Sequence, residues 1–333
     1  MGHAAHSPIV SGVGIEFASL RFETHKGGVN TPSSLCRRFV FALAASSAGF
    51  SFLHAAEPAP VPMPVPPAVA IARPSAAEVE NATSSLKRFF ANADAATKAV
   101  AAKYPDLIAV RPPRALNPAV IPMLNAGFRA KHAANLEIAK KGDIDVLFMG
   151  DSITDFWRVA KEGPNPASAG KAVFDKYYGA MKVANFGISG DTTQGVLYRL
   201  LDGEGQGFQP KVIELMIGTN NAATCSTAEI AEGVGAIVLE LRKDFPAAKI
   251  LLLGIFPRAN PGDPIRKTVL DVNPIIAKLH DGKNIFYLDI GAKFLDAQGN
   301  LPADIMPDKL HPTQKGYEIW AEAVKAPLAE LLK

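Results

Sequence analysis

The sequence Asp145-Val-Leu-Phe-Met-Gly-Asp-Ser152-Ile-Thr-Asp-Phe-Trp157 joins an unbroken apolar run to a polar turn. Such a run predicts a strand that is buried on both faces, as in a parallel sheet. Gly150 gives the backbone the freedom for a sharp exit from that strand. Ser152 would then lie at the carboxyl end of a central strand, where ligands bind in open α/β sheets. Ser152 is therefore a candidate nucleophile, although Gly-Asp-Ser is also ordinary turn chemistry.

A second polar stretch, Asp308-Lys-Leu-His311, precedes the last amphipathic pattern of the chain. A serine nucleophile needs an imidazole to take its proton, and the imidazole needs a carboxylate to orient it. Because Asp308 lies three residues before His311, one turn can present both side chains to the same place. The other histidines beyond residue 57 are His132 and His280. Both lie on predicted helices away from these loops, which predicts surface or capping roles.

Strand and helix patterns alternate through the second half of the sequence. Strands are predicted at residues 144–149, 181–186, 211–217, 249–255 and 285–288, and helices at 117–141, 168–178, 192–201, 227–244, 264–279 and 312–332. This alternation predicts right-handed crossovers and one parallel sheet with helices on both faces, an α/β fold.

The loops after the next two predicted strands also carry groups that a hydrolase can use. Gly187 and Gly190 allow a tight turn, whose main-chain N–H groups can bind an oxyanion. Asn220, in Gly218-Thr-Asn-Asn221, can donate its amide N–H to the same charge. Taken alone, the glycine turn can equally be an ordinary connection between a strand and a helix, and Asn221 can equally be a turn residue.

Composition limits the function classes. The 333 residues are 48% apolar and 20% charged, which is ordinary for one large globular domain with appendages. The formal charge of +3 and the lack of basic runs with aromatic residues argue against a nucleic-acid partner. No metal-binding signature is present, so we expect no metal. Cys225 is the one cysteine beyond residue 57, so an intramolecular disulfide is not expected.

The first hundred residues divide into segments. Residues 1–34 have no interpretable pattern, and we hypothesise that translation starts nearer Val29 than Met1. Residues 35–56 pair two arginines with a short apolar run and small residues, which predicts a signal peptide; a short membrane anchor or buried helix is the alternative. The proline-rich residues 57–74 predict a linker, and residues 75–115 an N-terminal helical segment with one helix over 75–103. Residues 116–333 form the predicted catalytic domain.

Four blocks together resemble the signature blocks of the GDSL/SGNH hydrolase superfamily, in that family's order. They are Gly150-Asp-Ser-Ile153, Gly187-Ile-Ser-Gly-Asp-Thr-Thr193, Gly218-Thr-Asn-Asn221 and Asp308-Lys-Leu-His311. The longer strings over residues 185–200 and 254–258 resemble the branch containing the catalytic subunits of platelet-activating-factor acetylhydrolase. Two positions depart from the usual pattern: Ile153 replaces the leucine of GDSL, and Asn221 stands where many relatives have aspartate.

This resemblance implies a fold and a site. The fold is a three-layer α/β/α sandwich with a flavodoxin-like, five-stranded parallel sheet. Ser152 is the implied nucleophile, His311 its base and Asp308 the group that orients the base. The implied oxyanion donors are the N–H groups of Ser152 and Gly190 and the side chain of Asn220. Beside these residues, Asp151, Trp157 and Asn221 are candidates for lining the substrate pocket.

The implied activity is hydrolysis of short, acetyl-type esters through an acyl-serine intermediate, on O-acetylated carbohydrate or acetylated lipid. Alternatives are a lysophospholipase or thioesterase acting on longer chains, and a non-catalytic carbohydrate-binding domain that kept the fold. No cofactor is required, and the expected partner is a small-molecule ester. We expect an exported, periplasmic or secreted protein with no membrane span once the signal is removed, and the monomer and the homodimer both stay open.

Overall fold

One parallel sheet organises the protein. The computed structural model describes residues 61–105, 110, 114, 116–160 and 168–333. The strands of the sheet are β1 (Val146–Gly150), β2 (Val183–Asn185), β3 (Val212–Met216), β4 (Lys249–Leu253) and β5 (Ile285–Leu288). Their order is β2-β1-β3-β4-β5, and every neighbouring pair is parallel. This is the flavodoxin-like order, so the predicted fold class is confirmed.

Helices cover both faces of the sheet. The described α-helices are α1 (Ala76–Asn92), α2 (Ala95–Lys103), α3 (Arg129–Lys141), α4 (Ser152–Asp155), α5 (Lys171–Tyr178), α6 (Thr193–Arg199), α7 (Thr227–Asp244), α8 (Pro264–Ile276) and α9 (Gln314–Leu331). Residues alternate in direction along a strand, so β1 sends Leu147 and Met149 to one face and Val146 and Phe148 to the other. The first pair joins a buried apolar cluster with α3, α6, α7 and α8. The second pair joins a cluster with α5 and α9.

The proline-rich segment before α1 differs from the predicted linker. Val69 is 3% exposed and belongs to the same cluster as α7. The backbone N–H of Ile71 donates to Glu232 of α7 at 2.8 Å, and the Arg73 guanidinium makes two hydrogen bonds, of 2.9 and 2.7 Å, to the same carboxylate. Gly235 leaves room for this contact, since a Cβ there would lie 2.5 Å from the Val69 side chain. This part of the segment therefore packs on the catalytic domain.

Two helix predictions need correction. The single helix over 75–103 is wrong because the chain breaks between α1 and α2, where Asp94 caps α2 by accepting the backbone N–H of Thr97 at 2.8 Å. The helix over 117–141 is reduced to α3, preceded by two short 3-10 turns, Pro118–Val120 and Ala126–Phe128. Proline and glycine in this stretch disfavour a continuous helix.

The predictions for residues 1–56 lie outside the described residues. Among the described residues, no helix has the length and apolar character needed to cross a bilayer.

Candidate active site

Ser152 begins α4 directly beyond the carboxyl end of β1. Gly150 makes this sharp exit feasible, since a Cβ there would lie 2.3 Å from Thr154 Oγ1 and 2.4 Å from the carbonyl oxygen of Met216 on β3. The Asp151 carboxylate then accepts the backbone N–H of Ile153 at 3.0 Å and so fixes the start of α4. Ser152 is 6% exposed at this edge of the sheet.

His311 connects Ser152 to Asp308. Its Nε2 lies 2.8 Å from Ser152 Oγ, and its Nδ1 lies 2.6 Å from Asp308 Oδ2. The Phe156 ring lies against the imidazole, with ring centroids 4.9 Å apart. The structure thus brings together the serine, imidazole and carboxylate that were selected from the sequence. An imidazole held this way can take the serine proton while the carboxylate stabilises the resulting imidazolium.

The local chain folds so that Asp308 stays ionised. Its Oδ1 accepts the backbone N–H of Leu310 at 3.0 Å and of His311 at 2.8 Å, which closes the turn that carries the imidazole. Burial raises the pKa of Asp308, but the hydrogen bonds from the His311 backbone and side chain outweigh it and hold the pKa below its usual value. The carboxylate is therefore charged when the imidazole gains a proton.

The predicted oxyanion donors lie at the ends of three neighbouring strands. Because β1 lies between β2 and β3, the loops that carry Gly190 and Asn220 flank Ser152 from both sides. Gly190 has a φ of +85°, which a glycine adopts without strain. One N–H of the Asn220 amide donates to the Asp191 carbonyl at 2.8 Å. An amide carries two N–H donors, so this bond anchors the side chain and leaves a donor for a ligand.

Asp155 joins the nucleophile helix to the glycine turn, a role that the sequence did not indicate. Its Oδ2 accepts both the backbone N–H of Ser189, at 3.1 Å, and the Ser189 hydroxyl, at 2.6 Å. Lys131 of α3 pairs with the same oxygen, and Arg158 with the other one. Burial raises the pKa of Asp155, but the hydrogen bonds with Lys131, Ser189 and Arg158 together outweigh it and hold the pKa below its usual value. Asp155 therefore holds Ser189, the residue before Gly190, against α4.

Arg158 holds the earlier part of the same turn. Its guanidinium donates to the carbonyl oxygens of Asn185, at 2.9 Å, and Gly187, at 2.6 Å. The Asn185 side chain in turn donates to the Thr154 carbonyl at 2.7 Å. Gly187 packs directly on α4, since a Cβ there would lie 2.5 Å from the Asp155 nitrogen. The turn is thus fixed to α4 by several independent contacts.

The three candidates for lining the substrate pocket are placed elsewhere. Trp157 is fully buried in the cluster of α5 and α9, where its ring lies 4.3 Å from that of Tyr317. Asn221 is 1% exposed and donates its amide to Gln194 at 2.7 Å. Asp151 is 1% exposed beneath Ser152, and burial raises its pKa to about 7. All three predictions of a pocket role are corrected, because these side chains serve packing, turn and capping.

A buried ionic network supports the residue that anchors Asn220. Arg199 donates to the Asp191 carboxylate at 3.0 Å and pairs with Glu204, and all three side chains are fully buried. His132 places Nδ1 at 2.7 Å from Glu204 and Nε2 at 2.9 Å from Asp202. The hydrogen bond with Glu204 raises the pKa of His132 and outweighs burial. The predicted surface role of His132 is therefore wrong, because its helix turns this face toward the interior.

An apolar wall next to Gly190 was also missed from the sequence. A Cβ on Gly190 would lie 3.4 Å from the Phe128 ring, so this ring lies against the glycine turn. The segment before Phe128 is tied to α6 by the bond from Met123 N–H to the Gln194 carbonyl, at 3.0 Å. The prediction of one helix over residues 117–141 hid this wall, because Phe128 instead ends a short 3-10 turn before α3. Within the part of the chain that the structure describes, no group of three or more acidic, histidine or cysteine side chains could hold a metal ion.

Comparison with known proteins agrees with this geometry. A family model described as the GDSL-like lipase/acylhydrolase family matches residues 148–319. The alpha2 subunit of human platelet-activating factor acetylhydrolase IB is 33% identical over 223 residues, which cover 65% of this chain and 90% of that subunit. The rat alpha1 subunit is 31% identical over 196 residues, covering 58% and 79% of the two chains. A solved candidate acylhydrolase from Bacteroides fragilis has a TM-score of 0.51 at 17% identity, covers 63% of this chain and 100% of its own, and shares the fold.

Proposed function

The chain belongs to the GDSL-like lipase/acylhydrolase family and is an ester hydrolase, and we propose that it removes short, acetyl-type acyl groups from alcohols through an acyl-serine intermediate. The observation that carries the mechanism is the hydrogen-bonded series Ser152 Oγ, His311 Nε2, His311 Nδ1 and Asp308 Oδ2, with contacts of 2.8 and 2.6 Å. Each contact lies within the range at which protons are transferred or held.

In this mechanism Ser152 Oγ attacks the ester carbonyl carbon while His311 Nε2 takes the hydroxyl proton. The carbonyl oxygen becomes an oxyanion, which accepts hydrogen bonds from the N–H groups of Ser152 and Gly190 and the Asn220 amide. Collapse of the tetrahedral intermediate breaks the ester C–O bond, and His311 gives its proton to the leaving alcohol. Water then attacks the acyl-serine in the same way and releases the carboxylic acid.

The preference for a short acyl group has two supports. The relatives are named acetylhydrolases, which denotes removal of an acetyl group. The Phe128 ring lies against Gly190, and the Phe156 ring lies against His311, so each of these two site residues has an aromatic neighbour. We propose that these rings limit the length of the acyl chain. The alcohol released would be a carbohydrate whose hydroxyl carried the acetyl group, or the glycerol part of an acetylated lipid.

Hydrolysis of p-nitrophenyl esters from acetate to long-chain esters tests the proposal. We expect activity on acetate that declines with chain length and is abolished in Ser152→Ala. Ser85→Ala, on the exposed face of α1, is the matched control and should keep full activity. Equal activity of Ser152→Ala and the control would refute the mechanism, and a preference for long chains would favour the lysophospholipase or thioesterase reading. Acetylated sugars and acetylated glycerolipids, assayed by acetate release, then identify the alcohol.

We also propose that the protein is exported. The support is Arg37 and Arg38 followed by the apolar residues 39–53 and a small-residue exit at residues 55–56. Amino-terminal sequencing of the protein recovered from its host tests this directly. A mature protein that begins near Glu57 is expected, and one that retains Met1 would contradict both the export signal and the proposed start near Val29.

A further inference from the structure

The hairpin of α1 and α2 has apolar side chains that are exposed in the part of the chain that the structure describes. No residue of the 17-residue helix α1 is buried among the described residues. Most helical stability in proteins comes from packing an apolar face against other elements. The apolar side chains of α1 are therefore available for contact with a partner.

An open groove of about 690 Å³ runs between the two helices. Leu86 and Phe90 of α1 and Ala101 of α2 supply its apolar lining. Lys87 and Lys98 stand in the same lining, which contains no carboxylate among the residues that the structure describes. The groove is therefore apolar and positively charged at once.

Further apolar side chains extend this surface. Phe89 is 60% exposed, Val100 61% and Tyr104 45%. Phe89 and Phe90 lie edge to face, with ring centroids 5.2 Å apart. Phe89 is the exposed ring of this pair, whereas Phe90 is half-buried and lines the groove. Exposed apolar groups are common at surfaces that contact other molecules.

The charged side chains of the hairpin indicate which kind of partner it would bind. Besides Lys87 and Lys98, the hairpin carries Arg88 and Lys103. The acidic residues of the hairpin are Glu78, Glu80 and Asp94, and none of them lines the groove. Glu78 and Asp94 act in the caps of α1 and α2, where Glu78 accepts Ser75 N–H and Asp94 accepts Thr97 N–H, both at 2.8 Å. An apolar surface with negative headgroups satisfies both features.

We propose that the α1–α2 hairpin is a docking surface for anionic phospholipid bilayers. Its phenylalanines would enter the boundary between headgroups and acyl chains, and its lysines and arginine would contact the headgroup phosphates. Such a helix lies in the plane of the interface and needs no membrane-spanning segment. The contact would hold the enzyme at a membrane surface, and it involves none of the residues of the active site.

Co-sedimentation of the full chain with vesicles tests this surface. We expect binding to vesicles of phosphatidylcholine mixed with phosphatidylglycerol, and little binding to phosphatidylcholine alone. Phe89→Ser with Phe90→Ser is expected to weaken binding at least about tenfold, because two aromatic groups lose their apolar environment. Lys87→Gln with Lys98→Gln should reduce binding to anionic vesicles and its sensitivity to salt.

Matched controls use exposed residues far from the hairpin in sequence. Leu239→Ser removes a 39% exposed apolar side chain of α7, and Lys283→Gln removes an exposed charge; neither should affect binding. Every variant is expected to hydrolyse a soluble ester at the wild-type rate, which shows that the fold is intact. The proposal is overturned if the wild-type chain does not bind anionic vesicles, if neutral vesicles bind equally well, or if the phenylalanine variant binds like the Leu239 control.

Discussion

Replacing Asp155 with Asn is expected to destabilise the protein and to slow catalysis, because this carboxylate ties the glycine turn to α4. It accepts two hydrogen bonds from Ser189, and it pairs with Lys131 and Arg158. The Asp155 side chain is 5% exposed, so water cannot replace these partners. An asparagine at this position keeps the shape but turns an NH2 group toward donors, which leaves at least one of them unpaired.

The expected loss of stability follows from the burial of Asp155 and from the exposure of its partners Lys131 and Arg158. Removing one member of a buried ion pair costs about 3–5 kcal/mol. The Lys131 and Arg158 side chains are 49% and 38% exposed, so solvent screens part of their interaction. We therefore expect the free energy of unfolding to fall by about 3 kcal/mol, the lower end of that range. A loosened turn misplaces the Gly190 N–H, and we expect kcat to fall about tenfold, or about 1.4 kcal/mol of transition-state stabilisation, with little change in KM.

Urea unfolding and p-nitrophenyl acetate kinetics measure these two effects on the same samples. Asp175→Asn is the matched control, since Asp175 pairs with Lys171 on the surface and both side chains are about half exposed. That substitution should cost less than about 0.5 kcal/mol and leave kcat unchanged. Ser189→Ala removes only the hydroxyl bond, so its losses of stability and of kcat should lie between those of Asp155→Asn and Asp175→Asn. Ser189→Thr keeps a hydroxyl group and should restore activity. If Asp155→Asn lowers stability but leaves kcat intact, the carboxylate is only structural and the argument for positioning fails.

Three further substitutions test other parts of the site. Asp308→Asn should lower kcat by about 10²–10⁴-fold while ester binding persists, because the imidazole loses the carboxylate that orients it, and a wild-type rate would contradict this role. Phe128→Ala should raise the rate ratio of octanoate to acetate esters, and an unchanged ratio would show that this ring does not limit acyl length. Burial raises the pKa of Asp151 to about 7, so the folded state holds this proton more tightly than the unfolded chain. The free energy of unfolding should therefore fall as pH rises from about 4 toward 7, and Asp151→Asn should remove that part of the slope in urea titrations at several pH values.

The fold was predictable because its signals are local. Each strand is a short, mostly apolar run that ends at or near a glycine or a polar residue, although β3 contains the buried Glu214. The long helix α7 buries an apolar face against the sheet. Helix α7 was predicted with its observed bounds, Thr227–Asp244, because Ser226 and Glu229 form a capping box that marks its start in the sequence. The segment around Val69 was not predictable in this way. Its partner Glu232 lies about 160 residues away in the chain. A proline-rich composition does not indicate that the segment will contact a buried carboxylate.

The same distinction between local and long-range signals applies to the residues of the site. Ser152, His311 and Asp308 could be selected because each follows a strand or precedes a helix in a short polar block, and parallel topology brings such blocks to one edge. Proximity to Ser152 in the sequence, in contrast, did not identify the residues that line the pocket. Trp157 lies five residues after Ser152, yet α4 and the turn after it rotate the indole into the core beside Tyr317. Phe128 lies 62 residues before Gly190 and yet touches it, because the arrangement of α3 and the segment before it is decided by tertiary packing. The residues that react can therefore be identified from local blocks, whereas those that shape the pocket depend on long-range contacts.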